Sequence, residues 1–201
     1  MMRIAVFASG SGSNFQAVLE ACVLGRIKGE VCQAVCDKPG AYVETRAERA
    51  GVPLFSFSPS DYESKQAFET ELVALLKERE VDVIVLAGYM RLIGPVLLGA
   101  FEGRIMNIHP SLLPSFPGLR AVEQAVDAGV KVTGVTVHLV DEGMDTGPIL
   151  AQKPVTIEPE DTYETTAAKI HRIEHSLYPE TIEAWRKTAE ERESTWQNEH
   201  S

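Results

Sequence analysis

The chain has 201 residues, of which 44% are hydrophobic and 24% are charged, a composition typical of a globular protein with one domain and its own core. The formal net charge of −10 argues against a nucleic-acid surface, but a local basic pocket for a small phosphorylated molecule is compatible with it. No apolar run reaches membrane-spanning length, and the N-terminus lacks a signal-peptide pattern. We therefore expect a cytoplasmic protein with no membrane or nucleic-acid partner.

Short apolar runs alternate with amphipathic ones along the chain, which is the pattern of an α/β protein with a mainly parallel sheet. Strands are predicted at residues 3–8, 31–36, 81–87, 104–108, 131–140 and 149–157. Helices are predicted at residues 14–24, 41–50, 61–80, 119–128 and 161–185, with Asp61 as the N-cap of the third, Gly51 closing the second and a kink at Pro179 in the last. The pattern predicts a single domain at 1–186 and a fraying polar tail at 187–201.

The loop Ser9–Asn14 lies between the first strand and the first helix, where backbone N–H groups and the helix dipole can hold a phosphate. It is not a dinucleotide fingerprint, because Phe15 stands where the third glycine would fall, and it lacks the lysine of a P-loop. Asp37 could mimic the ribose-binding acid of an NAD site, but the broken glycine pattern disfavours that interpretation. A tight turn with Ser13 or Asn14 as helix cap is the structural alternative.

Asn107 and His109 stand two residues apart, on one side of a predicted strand and directly before a proline-rich loop. Ligands bind at the carboxyl ends of strands in open parallel sheets. Asp145 lies in a glycine-containing loop between the last two predicted strands. Together these residues offer a hydrogen-bond donor, a titratable base and a carboxylate.

Other interpretations of these residues are weaker. Ser111 is no hydrolytic nucleophile by sequence, because no G-x-S-x-G elbow is present. His109, His138 and Asp145 are acceptable metal ligands but lack a ligand spacing, so we expect no metal, and His138 is expected to line the pocket. Three cysteines without ligand-like companions predict buried free thiols rather than a disulfide framework or a zinc site: Cys22, Cys32 and Cys36.

Four segments in order, covering roughly residues 1 to 185, resemble those of the phosphoribosylglycinamide formyltransferases, which are folate-dependent formyltransferases: the Ser9–Asn14 loop, Gly88–Ile93, Asn107–Pro114 and Asp145–Leu150. Methionyl-tRNA formyltransferases and formyltetrahydrofolate deformylases share the Asn/His/Asp set but carry a further domain, for which we expect no room in this chain. The resemblance implies the single-domain formyltransferase fold, with an open, mostly parallel twisted sheet and helices on both faces.

The resemblance also implies a reaction, in which the amine of glycinamide ribonucleotide attacks the formyl carbon of the cosubstrate 10-formyltetrahydrofolate in purine synthesis. Asn107 and protonated His109 would then stabilise the oxyanion, His109 would deliver a proton toward N10, and Asp145 would favour the imidazolium. Two alternatives are a hydrolase that passes the formyl group to water and a non-catalytic folate- or nucleotide-binding module. A homodimer is left open.

Substrate positions follow from the resemblance residue by residue. It implies that Gly12, Ser13 and Asn14 bind the phosphate and that Glu174 binds the ribose. The folate site would comprise Lys65, Asn107 and the main chain of the stretch Met90, Arg91, Leu92 and Ile93. One departure is His171, which stands where some relatives have lysine or glutamine, and this puts its contribution to phosphate binding in doubt. The alternatives without a role in substrate binding are a solvated helix charge for Lys65 and a surface ion pair with Arg172 or Lys169 for Glu174.

Overall fold

The structure is a computed structural model that describes residues 1–199. Seven strands form one sheet: β1 Met2–Ala8, β2 Gly29–Cys36, β3 Leu54–Ser56, β4 Val83–Leu86, β5 Ile105–His109, β6 Val132–Leu139 and β7 Ile149–Thr156. The α-helices are α1 Ser13–Val23, α2 Tyr42–Arg49, α3 Lys65–Glu78, α4 Pro95–Ala100, α5 Ala121–Asp127 and α6 Tyr163–Glu199.

The sheet is open and mostly parallel, as the sequence predicts. Its strand order is β3-β2-β1-β4-β5-β6-β7, and the pairings from β3 through β5 are parallel. Strands β6 and β7 continue the sheet in antiparallel pairings. The order reverses between β1 and β4, so the connections that follow these strands diverge and leave a crevice at their carboxyl ends.

Helices pack their apolar sides on both faces of the sheet, which confirms the predicted arrangement. Alternate residues of β1 enter two separate cores, with Ile4 and Val6 in one and Ala5 and Phe7 in the other. The first core receives side chains from α1 and α6, whereas the second receives α3 and α4: Phe15, Val18, Ile170 and Tyr178 in the first; Phe68, Leu72, Leu97 and Phe101 in the second. Burial of these side chains is the main favourable term for the fold.

Two short elements and one helix start differ from the sequence prediction. Strand β3 has three residues and helix α4 has six, and neither is long enough to show a periodic pattern. Asp61 is not the cap of α3, because it lies in a short 3-10 turn. Ser64 caps α3 instead, since its hydroxyl accepts from the Ala67 N–H at 3.1 Å.

The last helix is longer than predicted, because α6 passes through Pro179 and continues to Glu199 rather than ending at Trp185. Arg186 stabilises the part of α6 beyond residue 185, because it pairs with Glu183 at 2.7 Å and with Glu190 one turn further along the helix. The kink at Pro179 and the domain boundary at 186 stay predictions, and the end of the predicted tail, residues 200 and 201, lies outside the described residues.

The three cysteines are free thiols. Cys32 and Cys36 are buried and Cys22 is half-buried, and burial raises the pKa of the Cys22 thiol to about 11. Within residues 1–199, no helix combines the length and the hydropathy needed to cross a membrane.

Candidate active site

Strand β5 ends at His109, and its antiparallel neighbour β6 sets the surroundings of both predicted catalytic side chains. The register pairs Asn107 with His138 and His109 with Thr136. Because alternate residues of a strand share a face, the two pairs lie side by side at one end of the sheet. Asn107 is half-buried and His109 is buried, so both lie in a partly desolvated environment.

Asp145 reaches the same place from the loop between β6 and β7. Its Oδ2 lies 3.4 Å from His109 Nδ1 and accepts from the Gly118 N–H at 2.8 Å, and its Oδ1 lies 3.6 Å from His138 Nε2. The backbone of Asp145 is left-handed, with φ 56°, a conformation that costs free energy in a non-glycine residue. The structure therefore brings the predicted amide, imidazole and carboxylate into one cluster.

The carboxyl of Asp145 is held in its charged form. Its pKa is lowered to about 2, first by the contact with His138 and then by the Gly118 N–H, while burial acts in the opposite direction. A neutral His138 with its proton on Nδ1 offers no donor to Asp145, and in that tautomer the Gly118 N–H is the donor that favours the carboxylate. Asp145 is therefore an acceptor at neutral pH.

His109 has an acceptor oxygen at each ring nitrogen. Nδ1 faces Asp145, and Nε2 lies 2.8 Å from the carbonyl oxygen of Phe116 in the proline-rich loop. An imidazolium donates to both oxygens, whereas a neutral ring donates to one. A substrate atom that receives a proton from Nε2 has to take the place of the Phe116 carbonyl.

His138 is the residue that sequence reasoning underestimated. Its Nδ1 lies 2.8 Å from the carbonyl oxygen of Leu139, and its Nε2 lies 3.2 Å from Nδ2 of Asn107. With the proton on Nδ1, Nε2 accepts one N–H of the Asn107 amide, which fixes the amide's orientation and leaves its second N–H free. His138 and Thr136 have the same i, i+2 spacing as Asn107 and His109, and this repeated spacing is the signal in the sequence.

The predicted phosphate residues lie at the start of α1, in a segment we call the ribonucleotide loop, residues 9–14. Ser13 is the first residue of α1, and no side chain caps this helix N-terminus, so its backbone N–H groups stay available to an anion. Asn14 Nδ2 donates to Glu174 Oε2 at 3.0 Å. Both residues are buried, which rules out a surface ion pair for Glu174. His171 is exposed on α6.

Gly12 is required by the fold rather than by a ligand. Its φ is 72°, and a Cβ at this position would lie 2.8 Å from side-chain atoms of Val43 on α2. A side chain at Gly12 would therefore clash with α2 whether or not a phosphate is bound.

Four of the six predicted folate residues, Met90 to Ile93, lie along a segment we call the folate loop, residues 88–94. A cavity of about 550 Å³ is lined by Lys65 and three members of that set, Met90, Arg91 and Leu92, together with Asp37, Pro59, Tyr62, Ser64 and Phe68. Met90 and Leu92 are exposed. The cavity lining does not include the Asn107 cluster, so the structure gathers the predicted site residues into separate groups.

The folate loop also has its own polar contacts. The Met90 N–H donates to the Ser9 hydroxyl at 2.9 Å. The Arg91 guanidinium pairs with the Asp37 carboxylate at 2.8 Å. The main-chain groups of residues 91–93 make no hydrogen bond to the described part of the chain. These groups are therefore free to pair with a polar ligand, whereas the Met90 N–H is already used.

Rival interpretations of Asp37 and Ser111 do not fit this geometry. Asp37 is engaged by Ser9 and Arg91 and is not free to bind a ribose. The Ser111 hydroxyl donates to the Ser115 carbonyl oxygen, away from any base. Among residues 1–199, no group of three or more His, Cys, Asp or Glu side chains has an arrangement that could hold a metal ion.

Known proteins and solved structures resemble this chain over most of its length. Residues 2–182 match the formyl transferase family. A phosphoribosylglycinamide formyltransferase of Bacillus subtilis is 54% identical over 90% of this chain and 93% of its own length, and one of Escherichia coli is 38% identical over 90% and 85%. A crystal structure of the Bacillus halodurans phosphoribosylglycinamide formyltransferase superposes with a TM-score of 0.90, at 56% identity, over 93% of this chain and 96% of that one.

Proposed function

The chain belongs to the formyl transferase family, and we propose that it transfers the formyl group of 10-formyltetrahydrofolate to the amine of glycinamide ribonucleotide in purine biosynthesis. The relatives from Bacillus subtilis and Escherichia coli, at 54% and 38% identity, carry the name phosphoribosylglycinamide formyltransferase. The observation that carries the proposal is the cluster of Asn107, His109 and Asp145 at one strand end, because acyl transfer needs an oxyanion donor beside a proton-transfer group.

The amine nitrogen forms a bond to the formyl carbon, and the carbonyl oxygen becomes an oxyanion. Asn107 supports this oxyanion with the amide N–H that His138 does not use. Collapse of the tetrahedral species then breaks the bond to N10. The attacking amine loses one proton and N10 gains one, so the proton count balances without an outside acid.

His109 and Asp145 are placed to move that proton. Asp145 stays ionised because its pKa is lowered to about 2, and its Oδ2 lies 3.4 Å from His109 Nδ1, where it can accept from an imidazolium. The imidazolium supports the oxyanion and releases its proton toward N10 once the Phe116 carbonyl is displaced from Nε2. A water held by Asp145 carries the proton that the amine loses to the neutral His109, which restores the imidazolium and leaves Asp145 ionised.

The ribonucleotide binds at the ribonucleotide loop in this proposal. The uncapped N-terminus of α1 supplies backbone N–H groups and a favourable dipole to the phosphate, with Ser13 and Asn14 nearby. Glu174 uses Oε2 to hold Asn14 and has Oε1 for a ribose hydroxyl. No covalent nucleophile from the protein is needed, because the substrate supplies the attacking amine.

The folate binds along the folate loop. Main-chain groups of residues 91–93 are unpaired within the described part of the chain and fit the donors and acceptors of a pterin edge, while the exposed Met90 and Leu92 offer apolar contact. Arg91 and Lys65 line the neighbouring cavity and suit the carboxylates of the glutamate end. Because purine synthesis in this proposal uses two small soluble substrates, we place the chain in the cytoplasm.

Incubation of the purified chain with both substrates tests the proposal. Mass spectrometry of the products should find formylated ribonucleotide and tetrahydrofolate in equal amounts. A sample without protein and one with the Asn107→Ala variant serve as controls. Formation of tetrahydrofolate and formate without the formylated ribonucleotide would favour the hydrolase, and the absence of any product would favour the binding module.

A further inference from the structure

Four groups at the base of the crevice form a closed ring of contacts. The Ser9 hydroxyl donates to Asp37 Oδ1 at 2.5 Å and accepts from the Met90 N–H at 2.9 Å. Asp37 Oδ2 accepts from Arg91 Nε at 2.8 Å, and Met90 and Arg91 are neighbours in the chain, which closes the ring. Ser9 is 8% exposed and Asp37 is 9% exposed, so water competes little for these bonds.

The ring joins the ends of three adjacent strands. Ser9 follows β1, Asp37 follows β2, and Met90 lies in the connection that follows β4. Strand β1 lies between β2 and β4, at the point where the strand order reverses. The ring therefore ties together the two walls of the crevice, which are the ribonucleotide loop and the folate loop.

Each loop is also fixed to its own side of the molecule. On α2, Arg46 Nε donates to the Ser11 carbonyl oxygen at 2.8 Å. On α3, the buried Glu69 accepts from the Gly94 N–H at 2.5 Å, at the far end of the folate loop. These contacts hold each loop separately, whereas the ring sets one loop relative to the other.

We propose that Asp37 is a positioning residue for formyl transfer, which holds the two loops at a fixed separation so that the amine and the formyl carbon meet. The inference rests on the function proposed above. Both carboxylate oxygens of Asp37 are used within the ring, so it acts through Ser9 and Arg91 rather than on a substrate. Alignment of two bound reactants is sensitive to displacement, and about 1 Å can cost about 100-fold in rate.

Two substitutions open the ring at different points. In Asp37→Asn, one of the two acceptor oxygens becomes an NH2 donor and the negative charge that holds Arg91 is lost, which weakens the ring at Asp37. In Ser9→Ala, the bridge to Met90 is lost. We expect each to lower kcat by about 10-fold or more, and Ser9→Thr, which keeps the hydroxyl, should recover most of the loss.

Measuring KM for the substrate of the opposite loop separates a positioning role of the ring from an effect confined to one loop. Ser9→Ala lies in the ribonucleotide loop, but because the ring continues into the folate loop, it should also raise KM for 10-formyltetrahydrofolate. The double variant Ser9→Ala/Asp37→Asn should be no slower than the worse single variant, since both open the same ring. A purely structural role would lower the melting temperature and leave kcat per folded molecule unchanged.

Glu30→Gln is the matched control, because Glu30 pairs with Arg3 across β1 and β2 at the ends of these strands that lie away from the ring. We expect this substitution to leave kcat unchanged. An unmodified chain that is active, with kcat and both KM values of the ring variants within about twofold of it, would overturn this inference alone. Losses that multiply in the double variant would also overturn it. An unmodified chain that forms no formylated ribonucleotide would overturn the proposed function as well.

Discussion

At the scale of single residues, the cluster around Asp145 combines groups from three places in the chain. Asn107 and His109 come from one strand, His138 from its neighbour, and Asp145 from a loop with a left-handed backbone at its own position. Each is oriented by a neighbour: Asn107 by His138, and Asp145 by the Gly118 N–H. The geometry therefore assigns different tasks to side chains that the sequence presents only as a set.

Loss of any one of the three predicted catalytic groups should be severe. We expect Asn107→Ala, His109→Ala and Asp145→Asn each to lower turnover by about 100-fold or more, because each removes an oxyanion donor or a proton-transfer group. Turnover is measured by release of tetrahydrofolate, with circular dichroism to check the fold. Near-normal turnover in all three folded variants would contradict the mechanism.

His138 should act through the orientation of Asn107. His138→Phe keeps a ring but removes the acceptor at Nε2, and we expect about 10-fold slower turnover because the amide is no longer fixed. His138→Gln keeps an acceptor oxygen and should lose less. Steady-state kinetics of the two variants test this role. Equal losses of turnover would show that a hydrogen-bond acceptor for Asn107 at position 138 does not affect catalysis.

Asp145 should also make stability depend on pH in the acid range. Its folded-state pKa of about 2 lies below the ordinary value of 3.8, so its contribution is present above about pH 4 and is lost as the pH falls toward the folded-state pKa. Because His138 with its proton on Nδ1 donates no hydrogen bond to Asp145, this loss is expected to reach at most about 1 kcal/mol between about pH 5 and about pH 3.

Denaturant unfolding at those two pH values checks this expectation. Asp145→Asn should show a smaller fall in the free energy of unfolding than the unmodified chain does. The same substitution at Asp127, an exposed carboxylate at the end of α5, should leave the fall unchanged. A fall in Asp145→Asn as large as in the unmodified chain would mean that other carboxylates govern the acid range.

At the scale of elements, the packing of α2 against the ribonucleotide loop gives Gly12 its role. Gly12→Ala should lower the free energy of unfolding by about 1–3 kcal/mol, because the new Cβ meets Val43 in a left-handed backbone. Gly10→Ala is the matched variant in the same loop, since a Cβ there meets nothing within 4 Å. Chemical denaturation measures both, and a Gly12→Ala variant of normal stability that binds the ribonucleotide weakly would restore the phosphate explanation.

The elements differ in how well the sequence predicts them, for physical reasons. Strand β4 is a continuous apolar run because both of its faces are buried, and helix α3 carries an apolar stripe because one side of it packs on a core. Strand β3 lies at the edge of the sheet with exposed or half-exposed residues, and so it has no alternating pattern. The continuation of α6 beyond 185 depends on ion pairs rather than on an apolar stripe, which periodicity does not report.

The candidate site shows the same division. The spacing of Asn107 and His109 predicts a shared face, because strand periodicity is local. The contact of His138 with Asn107 depends on the register between β5 and β6, and the ring around Asp37 depends on the order of three strands. Register and strand order are long-range properties, so the sequence pattern names these residues without pairing them.

At the scale of the whole molecule, the sheet places the two loops that we propose to bind the substrates on opposite sides of one crevice, as two-substrate transfer requires. A hydrolase needs the same oxyanion donor and proton relay but no second organic substrate. The ribonucleotide loop and Glu174 therefore distinguish the proposed transferase from its rival.

The most direct test is the rate at which 10-formyltetrahydrofolate is cleaved with and without glycinamide ribonucleotide. Binding of the phosphate and ribose should hold the amine against the formyl carbon, an advantage that free water lacks. Cleavage should be slow alone and rise by at least about 100-fold with the ribonucleotide, with the formyl group recovered on the amine. Rapid release of formate at a rate that the ribonucleotide does not change would contradict the transferase assignment.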